Sequence, residues 1–176
     1  MGAGTSCMTD SVFVDTNILA YAFDTSDPAK RQVCKKLVGD AFRGTAVCAV
    51  SNQVLAELFV VLTQKIAKPL SRAEAGTIVK GFADSQAWTK LTYDSETVSR
   101  ASATAAGAPN QFWDLLIAET MREGGVRRIF TENVRDFREM AWIEAVNPLV
   151  DGTRGPSGGR RKTAPRIGGD RKERRS

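Results

Sequence analysis

Several acids in this chain stand where ordinary surface acids do not. Asp15 closes the apolar run Ser11 to Val14, Glu57 sits between Ala56 and Leu58 in an apolar helical stretch, and Asp114 interrupts Phe112-Trp113 and Leu115-Leu116-Ile117. Glu132, Asn133 and Asp136 follow a further apolar run that ends at Phe130. Each has a plain explanation taken alone: Asp15 can cap the helix after it, and Glu57 can lie on a solvated helix face. An unpaired carboxylate among apolar neighbours is nevertheless costly, and acids brought together repel one another. A hard divalent cation, Mg²⁺ or Mn²⁺, is the natural neutraliser, because it takes oxygen ligands, keeps several waters and suits phosphoryl groups. Such an ion lowers the pKa of a bound water and stabilises the charge that builds on a phosphodiester under in-line attack. The chemistry these residues predict is metal-dependent phosphodiester hydrolysis.

The composition narrows the alternatives. The chain has no histidine, which removes Ser-His-Asp and Cys-His catalysis, His-ligated zinc and imidazole acid–base chemistry together. Its three cysteines, Cys7, Cys34 and Cys48, are odd in number and lack CxxC spacing, so neither a disulfide framework nor a structural zinc site is expected. Cys34 and Cys48 read as core thiols. No apolar run reaches the roughly 20 residues of a membrane span and no signal peptide is apparent, so the expectation is a soluble, cytoplasmic protein. The net charge of +5 is concentrated at one end: residues 151–176 carry nine Lys and Arg against three acids, while residues 1–150 carry 16 against 17.

The elements that must position the acids can be read in order. Residues 1–10 are a small, polar lead-in. Ser11 to Val14 is a strand and a helix starts within a few residues of Asp15. Asp27-Pro28 opens a second helix, since Asp caps free N–H groups and Pro has none to lose; Gly44 closes it. Ala46 to Val50 lacks alternation, as a strand covered on both faces should. Ser51 or Asn52 then caps a helix to about Ala67, and Ser71 with Glu74 forms a capping box for one to about Asp84. Trp88 to Thr92 is a short strand, Asp94 or Ser95 caps a helix ending at Gly107, and a helix opens near Asn110 and ends at Gly124-Gly125. Val126 to Phe130 is a strand, Thr131 to Asp136 its exit loop, and Trp142 to Val146 an edge strand. Strands alternating with helices predict an α/β fold, an α/β/α sandwich with a mostly parallel sheet over residues 11–148. Ligands of such sheets sit beyond the carboxyl ends of the strands, which is where these acids fall. Residues 149–176, rich in Gly, Pro, Arg and Lys, are expected to be a disordered basic tail.

With FVDTNILAYAF near the start, SNQVLAEL around Glu57, QFWDLLIAETMREGGVRRIFTENVRDF from Gln111 to Phe137 and the ending WIEAVNP, the chain resembles PIN domains, and specifically the toxin ribonucleases of VapBC-type toxin–antitoxin pairs. The resemblance spans about residues 12–148. It implies a Mg²⁺-dependent (or Mn²⁺-dependent) endoribonuclease whose catalytic acids are Asp15, Glu57 and Asp114, with Asp15 and Asp114 on the metal and Glu57 orienting the water. Thr16 and Asn17 match the residues that follow the first acid. For the fourth corner Asn133 or Glu132 is favoured, with direct or indirect contact, and Asp136 is read as a loop residue. The products would carry 5′-phosphate and 3′-hydroxyl ends. The resemblance also implies an RNA substrate, a cognate antitoxin and a homodimer.

Other readings start from the same acids. A haloacid-dehalogenase-like phosphatase uses an Asp after the first strand as nucleophile, but wants a second Asp where Asn17 stands. A receiver domain wants an early acid pair and a late strand-end lysine, neither of which can be placed. A non-catalytic PIN-like module binding RNA or protein would keep the acids as a degenerate site. The basic tail has two readings, an aid to RNA capture or an end without a role. Deleting residues 151–176 and measuring RNA affinity across salt separates them, since an unchanged affinity and salt slope would remove the tail from the account.

Overall fold

The computed structural model describes residues 11–105 and 111–150. Five strands form one parallel sheet in the order β3-β2-β1-β4-β5: β1 Val12–Val14, β2 Cys48–Ser51, β3 Trp88–Leu91, β4 Arg128–Phe130 and β5 Glu144–Val146. Among the described residues six α-helices accompany them: α1 Thr16–Tyr21, α2 Pro28–Phe42, α3 Asn52–Gln64, α4 Arg72–Asp84, α5 Ser95–Ala105 and α6 Phe112–Glu123. The expected α/β/α architecture is present, and the edge strand at the end of the domain joins in parallel. Every residue of β1 and β2 is buried, which accounts for their unbroken apolar sequence.

Local chemistry sets the helix ends. Asp27 accepts from the backbone N–H groups of Ala29 and Lys30, ahead of Pro28. Ser51 caps α3 through the N–H of Val54, and Ser71 and Glu74 complete both halves of a capping box on α4. Gly44 and Gly125 take positive φ values of 71° and 67° beyond α2 and α6, the conformation in which glycine ends a helix without steric cost. Helix α3 stops at Gln64, short of the expected Ala67, and the exit loop after β4 contains a 3-10 turn, Val134–Phe137. The expected helix boundaries at Gly107 and Asn110 and the basic tail lie outside the described residues, whereas Leu149 still packs against the core.

Going out from β1, the chain first builds toward β2 and β3, then returns to lay β4 and β5 on the other side. Right-handed crossovers in opposite directions put helices on opposite faces of the sheet. They also open a crevice beyond the strand ends where the direction reverses, between β1 and β4. Cys34 and Cys48 are fully buried, and burial pushes both thiols up to about 12, so they are inert core groups at neutral pH. Among the described residues no helix is long and apolar enough to cross a membrane.

Candidate functional site

Asp15 lies at the end of β1, where that crevice opens. It caps α1 with one oxygen, Oδ1 accepting the Thr16 N–H at 2.7 Å, and turns the other toward β4. The register explains what it meets there: Val14 lies opposite Phe130, so the next residues, Asp15 and Thr131, fall side by side. Thr131 Oγ1 donates to Asp15 Oδ2 at 2.7 Å, and Asn17 Nδ2 donates to the same oxygen at 2.8 Å. Asn17 Oδ1 in turn accepts the Glu132 N–H at 3.2 Å, tying α1 to the loop after β4. The expected cap and the expected site residue are therefore one side chain, with one oxygen in each role.

Glu57 reaches the same place from the second turn of α3. Its Oε2 accepts from buried Thr16 Oγ1 at 2.9 Å and its Oε1 from Gln53 Nε2 at 2.9 Å. Gln53 also donates to the carbonyl of Trp113 at 3.3 Å, which fixes the first turn of α6 against α3. That turn carries Asp114. A cleft of about 410 Å³ is lined by Asp15, Thr16, Asn17, Glu57, Asp114 and Asn133, among others. Six of the residues singled out in the sequence thus share one cavity.

Glu132 goes elsewhere. Its carboxylate accepts from Lys30 Nζ at 2.5 Å and from the Tyr21 hydroxyl, and Lys30 lies over the Tyr21 ring, 4.5 Å from its centroid. Burial opposes its ionisation, but Lys30 and Tyr21 bring its pKa below the ordinary glutamate value. The acid with the largest charge effect on Asp114 is instead Asp136, on the 3-10 turn.

The electrostatics separate the cleft from the rest of the surface. Burial, with the charges of Asp136, Asp15 and Glu57 behind it, pushes the Asp114 carboxyl up to about 6. Asp15 is raised by burial too, opposed by its hydrogen bonds from Thr131 and Thr16. Among the described residues none of Asp15, Glu57, Asp114 and Asp136 forms an ion pair with lysine or arginine. No three Asp, Glu or Cys side chains among the described residues stand close enough to enclose a metal by themselves. Magnesium needs no such cage, since it is held by one or two carboxylates with waters and substrate phosphate completing the shell. A half-buried acidic set that is ion-paired with no lysine or arginine among the described residues fits that group.

Thr131, Gln53 and Asp136 were not among the residues favoured from sequence. A signal existed for one of them: Gln53 precedes Glu57 by one helical turn.

The chain matches the model of the PIN domain over residues 12–143. Its fold is similar to that of the Mycobacterium tuberculosis toxin VapC20, described as cleaving the sarcin-ricin loop, with a TM-score of 0.56 and 17% identity over 71% of this chain and 92% of that one. It is similar also to a chain of a toxin–antitoxin complex from Klebsiella pneumoniae, with a TM-score of 0.51 and 16% identity over 78% of this chain and 97% of that one. No curated protein matches the chain. With the family model covering most of its length and the strand-end acids in one cleft, the chain belongs to the PIN domain family.

Proposed function

We propose that this protein is a Mg²⁺- or Mn²⁺-dependent endoribonuclease, the toxin of a type II toxin–antitoxin pair, acting in the cytoplasm. The observation that carries the reading is the acidic cleft at the β1–β4 switch point, where Asp114 is raised to about 6 and no lysine or arginine among the described residues pairs with the acids. Family membership and the two toxin structures of similar fold support it.

Asp15 and Asp114 would hold the ion, Asp15 through the oxygens left partly free by its three hydrogen bonds. Bound there, the cation supplies a more acidic water and neutralises charge on the phosphodiester. Glu57 is held by Thr16 and Gln53 with both oxygens aimed along fixed directions, so it can orient the attacking water and take its proton. Asn17 and Thr131 keep the Asp15 carboxylate from rotating, which maintains the geometry that phosphoryl transfer requires. Asn133, exposed at the rim, can donate to a substrate phosphate, and Asp136 adds negative charge behind Asp114. As a toxin, the protein would be held inactive by a cognate antitoxin and would act as a homodimer.

The test is 5′-end mapping of cellular RNA after induced expression, with Asp15→Asn as control. New 5′-phosphate ends at defined positions are expected with the parent chain and not with the variant. Identical end profiles from both would defeat the nuclease assignment and leave the degenerate-module reading.

A further inference from the structure

Beside the acidic cleft lies a second cavity of about 490 Å³, within the range of small-ligand sites. Ala56, Val60, Tyr93 and Trp113 give it apolar and aromatic walls, and Gln53, Glu57 and Lys65 line both cavities. Trp113 also faces both, standing next to Asp114, and it is 59% exposed. Trp88, by contrast, is in the core, and Trp142 is partly buried under Arg122.

Trp113 is exposed and yet held. Gln53 Nε2 grips its carbonyl at 3.3 Å while holding Glu57, and the Phe112 ring packs edge-on against its indole at 5.2 Å between centroids. The backbone that carries the indole is thereby tied to the helix that carries Glu57. Lys65, exposed where the two cavities meet, forms no ion pair among the described residues. An aromatic face, a second aromatic ring and an uncommitted ammonium beside a phosphodiester site are the parts with which proteins hold single-stranded nucleic acid. Bases stack on the rings, and the cation meets the backbone.

We propose that this second cavity is a base-binding subsite, in which an unpaired nucleobase next to the reacting phosphate stacks on Trp113 with Lys65 on the adjoining phosphate. The proposal rests on the nuclease reading above and adds to it the requirement for an unpaired base. Tyr93 also lines this cavity, and Gln53, Glu57, Lys65 and Trp113, shared with the acidic cleft, set the base beside the acids.

The experiment uses the full chain carrying Asp15→Asn, short unstructured RNA oligonucleotides, and the same oligonucleotides with abasic sites as a phosphate-only probe. RNA should protect the accessible tryptophan from acrylamide quenching, and the abasic probe should not. Trp113→Ala should weaken RNA binding by about 5- to 150-fold, the range of one lost base stack, and leave abasic binding unchanged. Trp113→Phe should restore most of the loss. Equal RNA affinity in Trp113→Ala and its parent overturns the subsite. So does tryptophan already shielded without RNA that becomes accessible on dilution, because a second copy then covers the face. Failure of the two readings is distinguishable. If the chain with Asp15 intact cleaves RNA and Trp113→Ala in that chain leaves its KM unmoved, only the subsite falls. If RNA protects Trp113 while the unmutated chain cleaves nothing, only the catalytic assignment falls. Absence of any RNA binding removes both.

Discussion

Along the seam between α5 and α6, acids are paired with arginines; in the cleft beyond β1, Asp15, Glu57 and Asp114 are paired with no lysine or arginine among the described residues. Arg100 reaches Glu96 at 3.1 Å, Glu119 at 3.4 Å and also Glu123, while Arg122 holds Glu119 from the other side at 3.2 Å. Glu119, whose side chain is only 9% exposed, is matched twice. In the cleft Asp15, Glu57 and Asp114 receive hydrogen bonds or nothing, and Asp114 has three negative neighbours. This chain places two arginines beside the buried Glu119, an acid that serves packing. Among the described residues it pairs no arginine with the cleft acids Asp15, Glu57 and Asp114, which leaves negative charge that a divalent ion can neutralise.

The sharpest way to break the comparison is to remove an acid from the cleft. Asp114→Asn should lower RNA cleavage by about 10³-fold, the scale of losing one electrostatic element of an active site, with folding retained. Metal-free, the same variant should be more stable than its parent at neutral pH. The reason is that Asp114 has a folded pKa of about 6, above the unfolded value. The folded state therefore holds a proton that the unfolded state has released, and parental stability falls as pH rises from about 4 to about 6. Chemical denaturation in chelator across that window should show a fall for the parent and a flatter line for Asp114→Asn. A steeper fall in the variant would mean that Asp114 is stabilised by a partner rather than strained by its neighbours.

A smaller effect is expected from the ion itself. Mn²⁺ at about 100 times its Kd should add about 2.7 kcal/mol to native stability, which is about 5 to 10 °C in Tm for a domain of this size. Asp114→Asn should lose most of that shift. Altering the Arg100 seam should leave it intact, and equal shifts in Asp114→Asn and its parent would place the ion outside the cleft.

How much of this could be read before the structure depends on how local the determinant is. Asp27-Pro28, the Ser71–Glu74 box and Gly125 act within one turn, and each ends or starts its helix as expected. The three acids were legible because each interrupts an apolar run, a one-dimensional signal. Thr131 was not, since its bond to Asp15 exists only because β4 lies beside β1, a pairing between residues over a hundred positions apart. The choice between Glu132 and Asp136 was harder still. Both follow β4 and neither lines the cleft: Lys30 and Tyr21, arriving from the other end of the sequence, hold Glu132, while Asp136 on the 3-10 turn acts on Asp114 by its charge.

On the packing side, Arg100→Ala should cost about 1 to 2 kcal/mol. That is less than for a fully buried pair, because Arg100 is itself 39% exposed. Denaturant unfolding measures the loss, and cleavage by the folded variant should be unchanged. Loss of cleavage at full occupancy of the native state would join the seam to the site and erase the distinction between the two regions.

The smallest expected effect is at Glu132, which belongs in sequence to the cleft and in chemistry to the paired acids. If its carboxylate is committed to Lys30 and Tyr21, Glu132→Gln keeps the side-chain length and a carbonyl oxygen for Lys30, turns its NH2 toward the Tyr21 hydroxyl, which can accept, and removes the charge. The Glu132 N–H that holds Asn17 is untouched by the substitution. Cleavage should then stay within about 3-fold of the parent, with a stability loss of at most about 1 kcal/mol, as for a partly exposed pair. Asp136→Asn supplies the contrast, since Asp136 has the largest charge effect on Asp114, and its loss should lower the Asp114 pKa and shift the pH dependence of metal-free stability to lower pH. A loss at Glu132→Gln as large as at Asp114→Asn would return Glu132 to the metal and show that the Lys30 pair opens during the reaction. Near-parental cleavage would mean that Lys30, in the first turn of α2, draws one of the available acids away from the cleft.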